Sequence, residues 1–343
     1  MLQVRTGGRL HLGLMELAAG ETLRFGGLGL MLSSPQLVLE FSAAGARCQC
    51  PPPAEEIPRR IAEVQQRWNR DRPEAAACQV SVIESLPLHR GLGAGTQLAA
   101  ATAVGLELFA RLHRGELRHE NLQHWQPVSA TTDFLSPQWL VRQTGRGLRS
   151  AVGLQGFVHG GLVLDEGYPP AAQASHGERP IASCSHALPA QWQAVLICPP
   201  AGELISGARE AELLAAIGRQ PNPAKLRMFA LARQAVAVGQ QGQDFEGFTE
   251  LLDEYMDLAG QVFARSQGGM YNGLLVTQAV AAARTAGLRA VGQSSWGPTV
   301  FGFAPHKPAA EQAVNRLRDL CPQSSVSLSP IASQGVYWRC LPP

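Results

Sequence analysis

Lysine is almost absent: Lys225 and Lys307 are the only two in 343 residues. A Walker A loop needs Gly-Lys-Ser/Thr at its end, and neither lysine stands in that setting, so this class of nucleotide site is excluded. Seven cysteines are scattered at Cys48, Cys50, Cys78, Cys184, Cys198, Cys321 and Cys340 without a CxxC pair, and nine histidines show no HxxxH or HxH spacing. A zinc site and a disulfide framework are therefore not expected, and the thiols read as reduced. No apolar stretch approaches the ~18–20 residues of a membrane span. A charged segment followed by an apolar core is missing at the N-terminus, so no secretory signal is expected. The net charge is only +2, with no basic run, which argues against nucleic acid as a partner. A cytoplasmic protein is the expectation.

What is present is ordinary globular material, 45% hydrophobic and 16% charged, in a chain long enough for two domains. Short apolar runs at Leu2–Thr6, Arg9–Leu17, Gly27–Leu32 and Leu37–Phe41 predict a β-meander, with Gly-Gly, Ala-Gly and Ser-Pro as its turns. A helix is expected over Ile57–Trp68 and another around Ser136–Thr144, with strand-like runs at Gln79–Ile83, Gly156–His159 and Gly161–Asp165. Tyr168 to Pro189 is rich in Pro, Ala, Ser, His and Gly and reads as a linker or long loop. Beyond it strands are expected at Trp192–Cys198, Leu288–Gly292, Thr299–Phe303 and Val336–Arg339. Helices are expected at Ala208–Ile217, Ala224–Gln240, Phe245–Ala264, Gly273–Ala286 and Pro308–Leu320. The pattern is α+β in two lobes, 1–170 and 190–343.

The most informative segment is Leu86-Pro-Leu-His-Arg-Gly-Leu-Gly-Ala-Gly-Thr-Gln-Leu98, a glycine-rich loop between a strand and a helix predicted to start near Thr96. Gly91, Gly93 and Gly95 allow sharp turns and close approach of a ligand to the backbone. A helix start offers unpaired N–H groups and roughly half a positive charge, and Arg90 adds a full one. Phosphate binding is the inference. The loop is not a Rossmann fingerprint, because Thr96 stands where the third glycine belongs.

Two more loops carry suitable chemistry. Gly145-Arg-Gly-Leu-Arg-Ser-Ala-Val-Gly153, just after Arg142, supplies Arg146, Arg149 and Ser150. Guanidinium groups grip phosphate oxygens in a bidentate fork. Gln293-Ser-Ser-Trp-Gly-Pro-Thr299 brings Ser294, Ser295, Trp296, Gly297 and Thr299. Taken singly, a charge run is usually a solvated face, a Trp in a turn is usually core, and a glycine loop is often only a turn.

The order of these loops resembles the GHMP kinase superfamily, whose second motif reads Pro-x-x-x-Gly-Leu-Gly-Ser-Ser and whose third is a late glycine-rich loop. Within it, Arg9-Leu-His-Leu-Gly-Leu14, Arg24-Phe-Gly-Gly-Leu-Gly29, Gly160-Gly-Leu-Val-Leu-Asp165 and Gln267-Gly-Gly-Met-Tyr271 resemble the β-ribofuranosylaminobenzene 5'-phosphate synthases of tetrahydromethanopterin biosynthesis. The resemblance implies a ribosomal protein S5 domain 2-like N-terminal lobe, a ferredoxin-like α/β-sandwich C-terminal lobe and a homodimer. It implies transfer of a phosphoribosyl group from 5-phosphoribosyl 1-diphosphate (PRPP) to 4-aminobenzoate or 4-hydroxybenzoate, with loss of CO₂ and diphosphate and with Mg²⁺ as cofactor.

On that resemblance Arg90, Gly91, Gly93, Ala94, Gly95, Thr96 and Gln97 are expected to cradle one phosphate, and Arg146, Arg149 and Ser150 the leaving diphosphate. Asp165 or Glu16 would hold Mg²⁺. Trp296, Ser294 and Ser295, with Gly297 and Thr299 in the same loop, would line the arene pocket, and Arg9 or His11 would pair with the benzoate carboxylate. Kinases of the superfamily carry Ser-Gly-x-Asp in the middle motif, whereas this chain reads Ser150-Ala-Val-Gly153. The lysine of their first motif is missing too. An ATP-dependent small-molecule kinase is the alternative reading, with Asp133 or Asp165 substituting for the missing acid. A third is an inactive module of the same fold.

Overall fold

In a computed structural model the chain is described over residues 1–19, 22–43, 55–75, 77–117, 123–128, 134–147, 150–166, 183–200, 212–213 and 224–341. Two strands open it, β1 (Leu2–Ala19) and β2 (Thr22–Ala43), paired antiparallel from Leu2↔Phe41 to Ala19↔Thr22. This corrects the expected four-strand meander. Gly7-Gly8 and Ser33–Pro35 are not turns; the register shifts between Gly7 and Arg9 and again between His11 and Gly13, so the hairpin bends without ending. A bulge inserts a residue and bends the strand while pairing resumes beyond it.

There follow α1 (Glu56–Asp71), β3 (Cys78–Glu84), α2 (Ala94–His113), β4 (Gln126–Pro127), α3 (Pro137–Thr144), α4 (Val152–His159) and β5 (Leu162–Asp165). Gly156–His159 is thus helix, not strand: a short apolar run has no period long enough to separate the two. Part of the expected linker is strand β6 (Ser183–His186), antiparallel to β5. The second half holds β7 (Gln193–Cys198), α5 (Ala224–Gln241), α6 (Phe245–Gln267), α7 (Leu274–Thr285), β8 (Arg289–Gln293), β9 (Val300–Ala304), α8 (Lys307–Leu320), β10 (Ser325–Pro330) and β11 (Tyr337–Cys340). Strand β10 was not anticipated. The helix expected over Ala208–Ile217 lies outside the described residues except at 212–213, which are helical.

The first sheet runs β4-β11-β1-β2-β5-β6 with β3 also on β2, and the second runs β10-β7-β9-β8. Strand β11, assigned by sequence to the C-terminal lobe, pairs with β1 and so returns to the first sheet.

The three larger cores among the described residues follow from side-chain alternation. Leu2, Val4, Leu39 and Phe41 face α1, α2 and α4. On β7, Ala194 and Leu196 join the upper hairpin residues Leu10, Leu28 and Leu30 and the apolar faces of α5 and α6. Their neighbours Val195 and Ile197 point the other way, onto α7 and α8. Helix α6 is therefore sandwiched between the hairpin and the second sheet, which brings it beside the N-terminal loops. Among the described residues no helix is long and apolar enough to cross a membrane.

Candidate active site

The three loops, the hairpin and α6 surround one cavity of about 640 Å³. Its walls include Gly91, Gly93, Ala94, Gly95 and Thr96 from the first loop, Gly145, Arg146, Gly147 and Ser150 from the second, and Ser295 and Trp296 from the third.

The first loop is shaped by glycines in the left-handed region, where a side chain is strained. Gly91 has φ +81, and a Cβ there would lie 2.3 Å from the Ser294 carbonyl oxygen. Gly93 has φ +71 and caps α2, which starts at Ala94, two residues before the predicted start. At that helix start two guanidiniums converge. Nη1 of Arg60 and Nη2 of Arg146 lie 2.8 and 3.7 Å from where a Gly95 Cβ would sit. The Arg9 side chain covers Gly93, its Nε 3.1 Å from the corresponding position.

Arg60 and Glu56, one turn apart on α1, were missed in the sequence because a helix with ordinary amphipathic spacing carries no motif. Arg60 donates to Oε1 of Glu56 through Nε at 2.9 Å and Nη2 at 2.6 Å, and Oε2 of Glu56 lies 2.9 Å from Nε2 of His89. The bonds to His89 and Arg60 hold the Glu56 carboxyl down to about 2. Among the described residues Glu56 is the only acid on the cavity wall, against Arg9, Arg59, Arg60 and Arg146. A protein of net charge +2 concentrates cationic charge here.

Another part of the wall is largely apolar. Met256, Ala259 and Phe263 of α6, with Met270, Tyr271, Leu12, Leu14 and Trp296, contribute to it. Trp296 packs edge-on against Phe263, centroids 5.0 Å apart. Sequence reading flagged Gln267–Tyr271, of which Gln267, Met270 and Tyr271 reach the cavity, but not Met256 or Phe263, whose helix was legible and whose facing was not.

Several expected site residues hold the loops together instead of lining the cavity. The Oγ of Ser294 donates to the Gly91 carbonyl at 2.7 Å and accepts the His11 N–H at 3.0 Å, tying the third loop to the first and to β1. Thr299 donates its N–H to the Arg90 carbonyl at 3.4 Å, and Gly297 donates to Ser294 O at 2.9 Å. The Arg90 guanidinium bonds the Pro199 carbonyl at 3.2 Å. Gln97, fully buried, accepts from Thr6 Oγ1 at 2.8 Å and donates to Gly153 O at 3.1 Å. Arg149 lies outside the described residues. Glu16 is on β1 opposite Phe25, and its side chain is outside them too.

His11 reaches the cavity wall, but burial and the neighbouring Arg9 lower its pKa to about 3. It is neutral at physiological pH and supplies no cation for a carboxylate. Asp165 is fully buried off the cavity wall, accepting the Ala151 N–H at 2.6 Å and the Ser150 hydroxyl at 3.3 Å. It anchors the second loop.

These engagements bear on magnesium. Asp165 is turned into the fold, Glu56 is bonded by Arg60 and His89, and no cluster of three His, Cys, Asp or Glu among the described residues could hold a metal ion. The described donors do not fit a protein-ligated Mg²⁺.

Gly153, where kinases of the superfamily carry Asp, sits in α4 against the α2 start. A Cβ there would come 3.0 Å from Cγ2 of Thr96. Thr96 would have to give by a few tenths of an ångström before any side chain could stand there.

A family model for the C-terminal part of GHMP kinases matches residues 243–323. The β-ribofuranosylphenol 5'-phosphate synthase of Methanothermobacter thermautotrophicus is 26% identical over 322 residues, 90% of each chain. That of Methanocaldococcus jannaschii is 23% identical over 347 residues, covering 90% of this chain and 92% of its own. Among solved structures, Leishmania major mevalonate kinase with R-mevalonate superposes with a TM-score of 0.64 at 15% identity, covering 96% of both chains. The chain therefore has the two-lobed GHMP-kinase fold, and its sequence is similar to that of the archaeal β-ribofuranosylphenol 5'-phosphate synthases.

Proposed function

We propose that the chain is a synthase that joins PRPP to 4-hydroxybenzoate or 4-aminobenzoate, releasing CO₂ and diphosphate and leaving a β-C-riboside 5'-phosphate, a step of tetrahydromethanopterin biosynthesis. The observation that carries this reading is the mixed lining of this cavity, with arginines and a helix start on one part of the wall and Trp296, Phe263 and methionines on another. A polyphosphorylated sugar and an arene are the two ligands such a cavity accommodates, and its volume suits both together. The phenol in the relatives' name favours 4-hydroxybenzoate as the acceptor.

The C1–O bond of PRPP breaks and its electron pair leaves on diphosphate, whose charge Arg60, Arg146 and the first α2 amides receive. These donors are fixed before the charge develops, which makes them effective. Magnesium, which the family resemblance implies, would serve as counter-ion of the substrate diphosphate. The ribosyl cation is attacked from the opposite face by the arene carbon bearing the carboxylate, which inverts α to β. The carbon–carboxylate bond then breaks and its electron pair restores aromaticity. Arg9 lies over Gly93 at the cationic end, so the arene carboxylate is left in apolar surroundings, which favour its loss as CO₂.

The kinase alternative needs a carboxylate to take the acceptor's proton. Glu56, at about 2, is too weak a base, and Thr96 crowds the Gly153 position. The deciding experiment incubates the protein with PRPP, Mg²⁺ and carboxyl-labelled 4-hydroxybenzoate or 4-aminobenzoate. Labelled CO₂ and diphosphate in equal amounts are expected. Consumption of ATP with a polyol acceptor and no CO₂ would replace this reading with the kinase.

A further inference from the structure

His89 is a non-glycine residue held at φ +57 within the loop that shapes the cavity. Backbone strain of this kind persists where the surroundings impose it. Here the imposing contact is visible: Nε2 of His89 sits 2.9 Å from Oε2 of Glu56, whose other oxygen is bonded to Arg60. An ionised carboxylate only accepts, so Nε2 carries the hydrogen and the ring is fixed in plane by Glu56. Both residues lie on the cavity wall, next to the helix start where Arg60 and Arg146 converge.

Among the described residues, the charged groups that share the cavity wall with His89 are Glu56, Arg59 and Arg60 of α1, Arg9 of β1 and Arg146 of the second loop, and Arg90 follows it in the chain. Glu56 is the one negative charge among them. It stays ionised throughout the working pH range because its carboxyl is held near 2. A guanidinium stabilises charge without giving up a proton, so among the described residues beside Arg60 and Arg146 the His89 ring is the group suited to proton delivery.

We propose that His89 is the general acid that protonates the departing diphosphate and that Glu56 is its positioning residue. This rests on the synthase reading above. In the step, the anomeric C1–O bond breaks, its electron pair remains on the diphosphate oxygen, and the proton on Nδ1 of the imidazolium transfers to the diphosphate. Neutral His89 recovers its proton from solvent after product leaves. No other co-reactant is needed.

The test compares wild type, His89→Asn and Glu56→Gln for labelled CO₂ release across pH, alongside calorimetric binding of PRPP. Asparagine tolerates the left-handed region, so His89→Asn keeps the loop conformation. The expected result is a kcat loss of roughly 10²-fold in His89→Asn, with PRPP affinity within about threefold of wild type. A general acid acts only while protonated, so the wild-type kcat should fall towards high pH and that dependence should be lost in His89→Asn. Glu56→Gln should lower kcat with PRPP affinity retained. Unchanged kcat and pH profile in His89→Asn would overturn the inference. Loss of PRPP binding in step with kcat would also overturn it, by making His89 a buttress of the loop. Wild type that releases no CO₂ ends the synthase reading itself, and this inference with it.

Discussion

At the cationic end of the cavity the inward-facing groups are backbone amides and guanidiniums fixed by short bonds, such as Arg60 on Glu56 and Ser294 on Gly91. At the apolar end they are side chains of α6 and Trp296 held by packing, with Phe263 edge-on to the indole. The difference lies in what each interaction asks of geometry. A dipole or guanidinium stabilises developing charge only if it already points at it, and a small displacement costs most of its value. Dispersion and burial are not directional and tolerate rearrangement. Substitutions at the cationic end should therefore affect PRPP steeply, and those at the apolar end should affect the acceptor gently.

Arg146→Ala should give the largest effect, a fall of about 10²–10³ in kcat/KM for PRPP, on the order of 3–4 kcal/mol. Acceptor KM should hardly change. An equal loss for both substrates would mean that the ends are not separate subsites. Gly91→Ala comes next, because a Cβ would meet the Ser294 carbonyl at 2.3 Å as well as an unfavourable φ. Chemical denaturation should register on the order of 3 kcal/mol of lost stability, and a fully stable Gly91→Ala protein would show that the first and third loops are not locked together.

His11 sharpens the comparison through pH. Its folded pKa of about 3 lies below the ordinary histidine value of about 6.5, so the unfolded chain takes up the proton first as pH falls. The stability contributed by the neutral ring is complete above ~6.5 and is lost progressively as the medium is acidified towards pH 3. Between pH 7 and 5 this amounts to about 2 kcal/mol. His11→Gln should flatten that part of the curve, and an unaltered slope would contradict the buried neutral ring. Trp296→Phe should have the smallest effect, raising the acceptor KM about tenfold (about 1.4 kcal/mol) with PRPP kinetics intact. A larger effect on PRPP than on acceptor would reverse the proposed orientation of the two ligands.

What sequence reading reached and missed divides on the range of the interaction concerned. The glycine loop and its helix were legible because glycine conformation and the charge of a helix start are local properties, readable within a dozen residues. The cationic second loop was legible for the same reason. Gly7-Gly8 misled, because the same dipeptide serves a turn or a bulge, and only the partner strand decides which. Arg90, Gln97, Ser294, Thr299 and Asp165 were singled out as polar groups in or beside notable loops. Which way each side chain turned depended on a carbonyl or amide dozens to hundreds of residues away. Glu56 and Arg60 show the converse: nothing local marks them, and they enter the cavity because α1 packs against α2.

By itself the sequence determined the alternating strands, the helices, the left-handed glycine turns and the lack of a carboxylate at Gly153, all set by short-range sterics and residue chemistry. Tertiary structure alone decided that three separate loops share one cavity, that Arg60 joins Arg146 over Gly95 while Arg90 turns away, and that Asp165 anchors a loop. Those outcomes depend on which distant polar groups satisfy one another once water is excluded, and no local window of residues contains that information.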